Sequence, residues 1–239
     1  MKVATKSINL ETIAWHKVHE GLNARGYQII PDVLDAHECQ QLIALYDDSD
    51  LFRKTVSMER YRFGKGEYKY FRYPLTEIIQ RLRENVYTGL VPVANAWMKN
   101  LNLSIEYPSA HADFIAMCMD AGQQKPTVLV LRYGEGGFNT LHQDLYGEVY
   151  FPFQIVLFLN QQNDDFSGGE FVLTEQIPRA QSKAIVLSPP RGSMLIFTTN
   201  FRPVRGSRGF YRVNMKHGVS EVHHGKRHTL GIIFHDAVS

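Results

Sequence analysis

Hydrophobic and polar positions change their spacing near the middle of the chain. Up to residue 122 the apolar residues recur every three or four positions, which predicts helices over 10–22, 35–47, 75–101 and 109–122. Gly26 should end the first helix before a short strand at 27–30, and Asp35 with Glu38 resembles a capping box for the second. Pro92 predicts an interruption of the third helix.

After Gly122 the pattern becomes one of short strands separated by turns. Strands are predicted over 127–133, 139–145, 151–159, 169–174, 184–187, 194–198, 212–219 and 227–234. Strands without helices between them favour a sandwich or jelly roll, with the earlier helices packed on its outside. We therefore predict an α+β fold with a mainly β core, in a single domain 1–239 made of a helical N-terminal part (1–122) and a β core (123–239).

Between the predicted helices, residues 58–73 alternate basic and aromatic side chains. The basic residues are Arg60, Arg62, Lys65, Lys69 and Arg72, interleaved with six aromatic residues. Cations that meet phosphates and rings that stack on bases make this segment a candidate nucleic-acid platform. The alternative is a β-hairpin that turns at 64–66, with one face on the core and a charged face in water.

Composition and charge narrow the class of protein. The chain has 239 residues, of which 44% are hydrophobic, and its net charge of +2 does not by itself imply a polyanionic partner. No apolar run reaches the roughly 18 residues of a membrane span, and residues 1–10 carry no apolar signal-peptide core. We expect a cytoplasmic protein of undetermined oligomeric state, whose Cys39 and Cys118 are reduced core residues.

A candidate metal site starts at His142 and Asp144. These residues stand two positions apart in a predicted strand, so both side chains share one face while Gln143 points away. His217, on a later predicted strand, would complete the two-histidine, one-carboxylate set that binds non-haem Fe(II) and leaves other coordination positions open. The same ligand types also suit zinc or a structural divalent ion.

Other histidines suit this site less well. The alternatives for the third ligand are His223, His224, His228 and His235. The first two precede a predicted hairpin turn, the third has the opposite strand parity to Arg227, and the fourth lies at the very end. A second His-x-Asp pair, His111 and Asp113, falls on a predicted helix, where the two side chains should diverge on an exposed face.

Four motifs together resemble the core of the Fe(II)/2-oxoglutarate-dependent dioxygenases. They occupy residues 133–144, 166–171, 190–197 and 217–230. Their order and spacing resemble the prolyl-hydroxylase-like branch, which implies a double-stranded β-helix (jelly roll) as the catalytic core. Over its whole length the chain also resembles a bacterial oxygenase family that acts on damaged, alkylated nucleic acid.

The resemblance implies roles for particular residues. The implied iron ligands are His142, Asp144 and His217. Arg227 is implied as the anchor of the distal carboxylate of 2-oxoglutarate, a role that suits arginine because its planar fork binds a carboxylate bidentately. Tyr133 stands where related enzymes have a tyrosine that bonds the cosubstrate, and Thr229 shares a strand face with Arg227. Fe(II), 2-oxoglutarate and dioxygen are the implied cofactor and cosubstrates.

The sequence leaves alternatives for the primary substrate. A second basic run before His217 contains the candidate substrate-binding residues Arg202, Arg205, Arg208 and Arg212. Such a run near the metal end of a strand suits single-stranded or flipped-base nucleic acid, which predicts oxidative demethylation of an alkylated base. It also suits a protein or small-molecule substrate of a hydroxylase, and a non-catalytic metal-binding sensor is the third interpretation.

Overall fold

The structure is a computed structural model that describes Leu10 and residues 13–239. Its helices are α1 (Trp15–Arg25), α2 (Ala36–Ala44), α3 (Glu77–Asn100) and α4 (His111–Asp120). Its strands are β1 (Tyr27–Ile30), β2 (Phe52–Ser57), β3 (Gly64–Lys65), β4 (Glu67–Phe71), β5 (Leu129–Tyr133), β6 (Phe138–His142), β7 (Phe153–Phe158), β8 (Phe166–Gly168), β9 (Phe171–Gln176), β10 (Lys183–Leu187), β11 (Met194–Thr198), β12 (Phe201–Gly206), β13 (Gly209–Val219), β14 (Val222–Gly225) and β15 (Arg227–Ile233).

The ends of the first two helices follow their capping residues. α1 ends where Gly26 takes a φ of 79°, and the N–H of Gly26 donates to the carbonyl of Leu22. The capping box at α2 is confirmed, because the Asp35 carboxylate accepts from the Glu38 N–H and the Glu38 carboxylate accepts from the Asp35 N–H. Residues 11 and 12 of the first predicted helix, and the first nine residues, lie outside the described residues.

α3 continues through Pro92, so the predicted interruption is wrong. Pro92 is exposed, whereas Val91, Val93 and Ala94 around it are buried. Burial of this face offsets the roughly 3 kcal/mol that an interior proline costs a helix. Farther along the same face, the ring of Trp97 packs 4.5 Å from that of Phe153, which joins α3 to the sheet.

Two antiparallel sheets face each other, which confirms an α+β, mainly β fold of jelly-roll type. The larger sheet has the strand order β1-β11-β7-β15-β5-β4-β2. The second sheet has the order β10-β9-β13-β6-β3, with β12 also paired to β13. No helix in the described part of the chain is long and apolar enough to cross a membrane.

Strand parity separates the structural core from the space between the sheets. On β7, Ile155 and Leu157 belong to the main core with the helices, whereas Val156 and Phe158 pack with Phe171 and other residues of the second sheet. Cys39 and Cys118 are buried free thiols of the main core, as expected. The helices therefore cover one face of the large sheet and leave its other face to line an interior cavity.

The basic-aromatic segment is not the hairpin predicted to turn at 64–66. β2 pairs with β4, and β2 itself was not predicted. The chain between them makes a 3₁₀ turn at Glu59–Tyr61 and then crosses to the second sheet, where β3 pairs with β6. Gly64, with a φ of 142°, lies so close to the carbonyl of Phe138 that any side chain there would clash with it. This crossing is what brings the segment beside the strand that carries His142.

Candidate functional site

Three potential metal ligands come together at the junction of β6 and β13. His217 on β13 pairs directly across the sheet with His142, the last residue of β6, and their ring centroids are 4.1 Å apart. Asp144 lies beyond the end of β6, which stops at His142 and not at 145 as predicted. Ligand atoms of His142, Asp144 and His217 all lie within 4.8 Å of one another, so this group can hold a metal ion.

Neighbouring side chains fix the orientation of the three ligands. His142 Nδ1 lies 2.7 Å from the carbonyl of Thr140; because a carbonyl only accepts, the Nδ1–H must donate, and Nε2 is the ring nitrogen that remains to face a metal ion. The ring of Phe171 is stacked on His217 at 5.9 Å and 12°. The Gln143 amide turns away and donates to the carbonyls of Asn200 and Met215, which holds the segment after β6 without a strand ladder.

The charge states of the triad suit a divalent cation. Burial opposes ionisation of Asp144, but His142 and His217 beside it hold the pKa of this carboxyl well below its usual range. Burial and the neighbouring His142 lower the pKa of His217 despite Asp144, which favours a neutral imidazole. An ionised carboxylate and a neutral imidazole are the forms that bind metal.

Arg227 begins β15 and is buried beneath the same cavity. Only 2% of it is exposed, and its guanidinium lies 5.5 Å from the ring of Tyr133 and 5.6 Å from that of Phe158. None of the described residues accepts a hydrogen bond from its Nε, Nη1 or Nη2, and the Tyr133 hydroxyl is also without a partner there. Burial lowers the pKa of Arg227 to about 10, so the group is still a cation at neutral pH.

A buried cation with unsatisfied donors requires an anionic partner, and a carboxylate fits it. Leaving a charged hydrogen-bonding group buried without a partner is strongly unfavourable, while a bidentate carboxylate satisfies the guanidinium fork. Arg227, Tyr133 and Thr229 line the cavity together with the metal triad. The cavity volume is about 220 Å³, which suits a small dicarboxylate. These residues therefore fit 2-oxoglutarate beside a metal ion.

The four arginines of the second basic run do not gather near this site. Arg202 is 9% exposed, and its Nε and Nη2 donate to Glu175 at 3.0 and 2.8 Å. Arg205 pairs with Phe210 in the β12–β13 hairpin, and the stretch from Phe210 to His217 spans roughly 24 Å. The run was predicted to lie at the metal end of the strand because the hairpin was missed. The sequence feature that indicates this hairpin is the turn from Gly206 to Gly209, which separates two stretches of strand-like sequence.

Arg212 points away from the triad, and Arg208 is distant from it. Arg212 is exposed on the face of β13 opposite to buried His217, and its guanidinium lies 4.8 Å from the ring of Phe201. Arg208 lies in the turn before β13, beyond the far end of the strand from His217. The structure therefore places this basic run along an outer hairpin and not at the cavity.

The competing histidines all lie elsewhere. His223 and His224 are exposed on the short strand β14, not in the predicted turn, and His228 faces away from Arg227 and bonds Asn160. His235 is buried, and its Nδ1 accepts from the N–H of Phe151. The prediction that His111 is exposed is wrong, because it is 4% exposed and its Nε2 lies 2.9 Å from the carbonyl of Phe234. Asp113 is exposed and diverges from His111, as expected.

Several cavity residues were missed in the sequence. The Tyr146 hydroxyl donates to Asp144 Oδ1 at 2.7 Å, and the Tyr70 hydroxyl donates to that of Tyr146 at 3.1 Å. Gln154 is 3% exposed and lines the cavity with an amide nitrogen that has no partner among the described residues. The available signals were the two-residue spacing of Tyr146 from Asp144 and the single amide in the apolar run 151–159.

Comparison with solved structures identifies the fold. A prolyl hydroxylase from Trichoplax adhaerens, in complex with a hypoxia-inducible-factor peptide, matches with a TM-score of 0.58 and 19% identity over 93% of this chain and 89% of that chain. A 2OG-Fe(II) oxygenase family oxidoreductase from Burkholderia pseudomallei matches with a TM-score of 0.56 and 16% identity over 95% of each chain. A Pseudomonas putida prolyl-4-hydroxylase matches with a TM-score of 0.51 and 16% identity over 91% and 96%. The chain thus has the fold of the 2OG-Fe(II) oxygenase superfamily.

Sequence comparison then gives the family. Residues 66–237 match the family model described as "Oxygenase, catalysing oxidative methylation of damaged DNA", and the chain belongs to this oxygenase family. A Mycobacterium tuberculosis protein described as uncharacterized is 44% identical over 190 residues, which cover 77% of this chain and 81% of that protein. Family, fold and metal triad agree on an oxygenase that uses Fe(II), 2-oxoglutarate and dioxygen.

Proposed function

We propose that this oxygenase hydroxylates an alkyl group on a nucleobase of single-stranded or flipped-out nucleic acid. In this proposal His142, Asp144 and His217 hold Fe(II), while Arg227, with Tyr133 and Thr229 beside it, binds the distal carboxylate of 2-oxoglutarate. When bound, Fe(II) together with 2-oxoglutarate and dioxygen would supply the oxidising power to insert one oxygen atom into a C–H bond, with release of succinate and carbon dioxide. A hydroxylated N-methyl group then leaves as formaldehyde, which regenerates the base.

The observation that carries the nucleobase proposal is a pair of stacked, exposed aromatic rings at the cavity. Tyr61 and Phe63 are 48% and 46% exposed, and their rings stack at 5.6 Å and 19°. Phe63 also lines the cavity. Adjacent exposed rings at the mouth of a cavity often mark a ligand site, and a base that stacks on an aromatic ring gains about 1–3 kcal/mol.

The stack is held against the strand that carries His142. The backbone N–H and the hydroxyl of Thr140 both donate to the carbonyl of Phe63, at 2.8 and 2.9 Å. Arg60, Arg62 and Lys65 are exposed on the same segment, and the Arg60 guanidinium lies 5.9 Å from the ring of Tyr61. Rings that stack on bases and nearby cations that meet phosphates are the two components of a single-strand binding surface.

The interior of the cavity also suits a base. Its lining is rich in aromatic and aliphatic side chains, and the Gln154 amide nitrogen, which has no partner among the described residues, offers hydrogen-bond donors. Gln154 pairs with Ile233 on β15, so along the strand it lies roughly 20 Å from Arg227. The amide is therefore available to the polar edge of a primary substrate while Arg227 serves the cosubstrate.

The test supplies oligonucleotides that carry N-methylated bases, together with iron, 2-oxoglutarate and dioxygen, and measures formaldehyde and succinate. We expect formaldehyde from at least one methylated base. The double variant Tyr61→Leu and Phe63→Leu should lose most of it while substrate-independent succinate formation continues. Phe210→Leu is the matched control, because Phe210 is 41% exposed but lies in the distant hairpin.

A hydroxylase of a protein or small-molecule substrate is the second candidate, favoured by the absence of Arg202, Arg205, Arg208 and Arg212 from the described cavity. Succinate formation without formaldehyde from any methylated base would contradict the nucleobase proposal and support this alternative.

A further inference from the structure

Two tyrosines form a hydrogen-bonded chain that ends on the carboxylate of the metal triad. Tyr146 Oη lies 2.7 Å from Asp144 Oδ1, and Tyr70 Oη lies 3.1 Å from Tyr146 Oη. The two rings meet edge to face at 6.4 Å and 90°. Tyr70 is 7% exposed, and the Arg53 guanidinium lies 4.7 Å from its ring. Contacts with neighbouring side chains therefore hold the two hydrogen-bonded tyrosines in position in the cavity wall.

The direction of donation along this chain is fixed by the carboxylate. An ionised Asp144 only accepts hydrogen bonds, so Tyr146 must donate to Oδ1, and the Tyr146 oxygen is then free to accept from Tyr70. A phenol that accepts one hydrogen bond becomes a stronger donor in the next. Tyr70 thus strengthens the contact that Tyr146 makes with Asp144.

Asp144 needs such support because it lies outside the strand. β6 ends at His142, so no strand ladder holds the backbone of Asp144. Its two oxygens have different surroundings. Oδ1 accepts from Tyr146 at 2.7 Å and lies 3.6 Å from His142 Nε2, while Oδ2 lies closer to its histidine neighbour, 3.2 Å from His217 Nε2. A carboxylate with both oxygens available can bind a metal ion through both, whereas one that is engaged by a phenol offers a single oxygen to the metal.

We propose that Tyr146, supported by Tyr70, is a positioning residue that presents Asp144 to the metal through Oδ2 alone. Single-oxygen binding keeps one coordination position free, and an oxygenase needs every position outside the triad for 2-oxoglutarate and dioxygen. Residues that bond metal ligands typically change metal affinity 10- to 100-fold when removed. The inference rests on the proposed metal role of the triad.

The experiment measures metal binding and cosubstrate chelation separately from activity. Mn(II) affinity is determined by electron paramagnetic resonance, and the visible charge-transfer band of the Fe(II)–2-oxoglutarate chelate is recorded without oxygen. Tyr146→Phe should weaken Mn(II) binding about 10- to 100-fold and shift or weaken the band. Tyr70→Phe should weaken Mn(II) binding about 2- to 5-fold, as expected for one neutral hydrogen bond. The double variant should be no weaker than Tyr146→Phe, because Tyr70 acts through Tyr146.

Tyr68→Phe is the matched control. Tyr68 lines the same cavity and its ring lies 5.3 Å from that of Tyr70, but it takes no part in the two hydrogen bonds that link Tyr70, Tyr146 and Asp144. It should bind Mn(II) as the wild type does.

The outcomes separate the inference from the proposed function. Folded Tyr146→Phe with wild-type Mn(II) affinity and an unchanged band would overturn the inference alone. If Tyr146→Phe fails to fold, Tyr70→Phe decides: a wild-type affinity and band overturn the inference, and the expected 2- to 5-fold loss supports it. A wild-type protein that binds no metal, or His217→Ala that binds it normally, would overturn the metal site and the inference together.

Discussion

Removal of Arg227 tests the cosubstrate site most directly. Arg227 is 2% exposed, its guanidinium lies 5.5 Å from the ring of Tyr133 and 5.6 Å from that of Phe158, and none of its three nitrogens has a partner among the described residues. Arg227→Ala removes both hydrogen bonds of a carboxylate clamp. At roughly 1.5–3 kcal/mol for a hydrogen bond to a charged group, and with incomplete additivity, the loss should be about 2–4 kcal/mol. This corresponds to about 30- to 700-fold weaker binding of 2-oxoglutarate.

Loss of Arg227 should weaken cosubstrate binding but should not lower the stability of the protein. Because Arg227 is a buried cation without a hydrogen-bond partner among the described residues, Arg227→Ala should not destabilise the cosubstrate-free protein, whereas removal of a paired core residue would. Thermal melting should therefore show an unchanged or higher midpoint without 2-oxoglutarate, and a smaller upward shift when 2-oxoglutarate and Mn(II) are added. Metal affinity should change little. Arg227→Lys should bind with intermediate affinity, since lysine keeps the charge but loses the fork.

Titration of 2-oxoglutarate into the Fe(II) protein without oxygen, followed by the charge-transfer band, measures the affinity. Arg132→Ala is the control, because Arg132 precedes Tyr133 on β5 and so projects to the opposite face, where it lies 3.4 Å from Glu67. An Arg227→Ala variant that binds 2-oxoglutarate as the wild type does would show that Arg227 does not anchor the distal carboxylate. Arg212 and Lys216 would be poor substitutes in that case, because both are exposed on the face of β13 opposite to His217.

Further predictions concern the metal, acid stability and nucleic acid. His217→Ala should abolish the charge-transfer band in folded protein; survival of the band would remove His217 from the ligand set. Burial, with Arg83 nearby, lowers the pKa of His111 to about 3, below the roughly 6.5 of an unfolded histidine. His111 therefore contributes full stability above about pH 6.5 and loses it as pH falls toward 3, by up to about 1.4 kcal/mol per pH unit. His111→Gln should flatten this decline in urea denaturation at pH 7 and pH 5, and an equal slope would contradict it. The slope of log affinity against log salt concentration measures how many phosphates the protein contacts. For a single-stranded oligonucleotide, charge reversal at Arg60 and Arg62 should make this slope less negative by about 0.7 for each lost contact, whereas reversal at Arg205 and Arg208 should leave it unchanged.

The metal triad could be anticipated because its spacing follows strand geometry. His142 and His217 are cross-strand partners, as expected for ligands that meet between two neighbouring strands. Asp144 reaches the site for a different reason: it lies past the end of β6, where the bonds from Gln143 to Asn200 and Met215 hold the chain. The two-residue spacing therefore suggested the right residue although the strand ends before it.

Other features depended on contacts between distant parts of the chain. The hydrogen bonds from Thr140 to Phe63 and the β3–β6 pairing bring the basic-aromatic segment to the cavity, and no local pattern in 58–73 specifies that crossing. Pro92 is tolerated because buried neighbours hold α3 together. The second basic run was misplaced because its turn was not recognised, and a hairpin carries its tip away from the strand end that holds His217.

Strand parity explains why the site can carry unsatisfied polar groups in a stable protein. Along β15, Arg227 and Thr229 line the cavity, while Leu230 and Ile232 belong to the core beneath the helices. The face that does not pack against α3 therefore carries the Arg227 cation and the Gln154 amide nitrogen, which have no hydrogen-bond partner in the part of the chain that the structure describes. Substitutions of the polar residues on the cavity face should change ligand binding more than folding, whereas large-to-small substitutions on the opposite face should destabilise the sheet. This separation makes the site variants at Arg227 interpretable as measurements of binding.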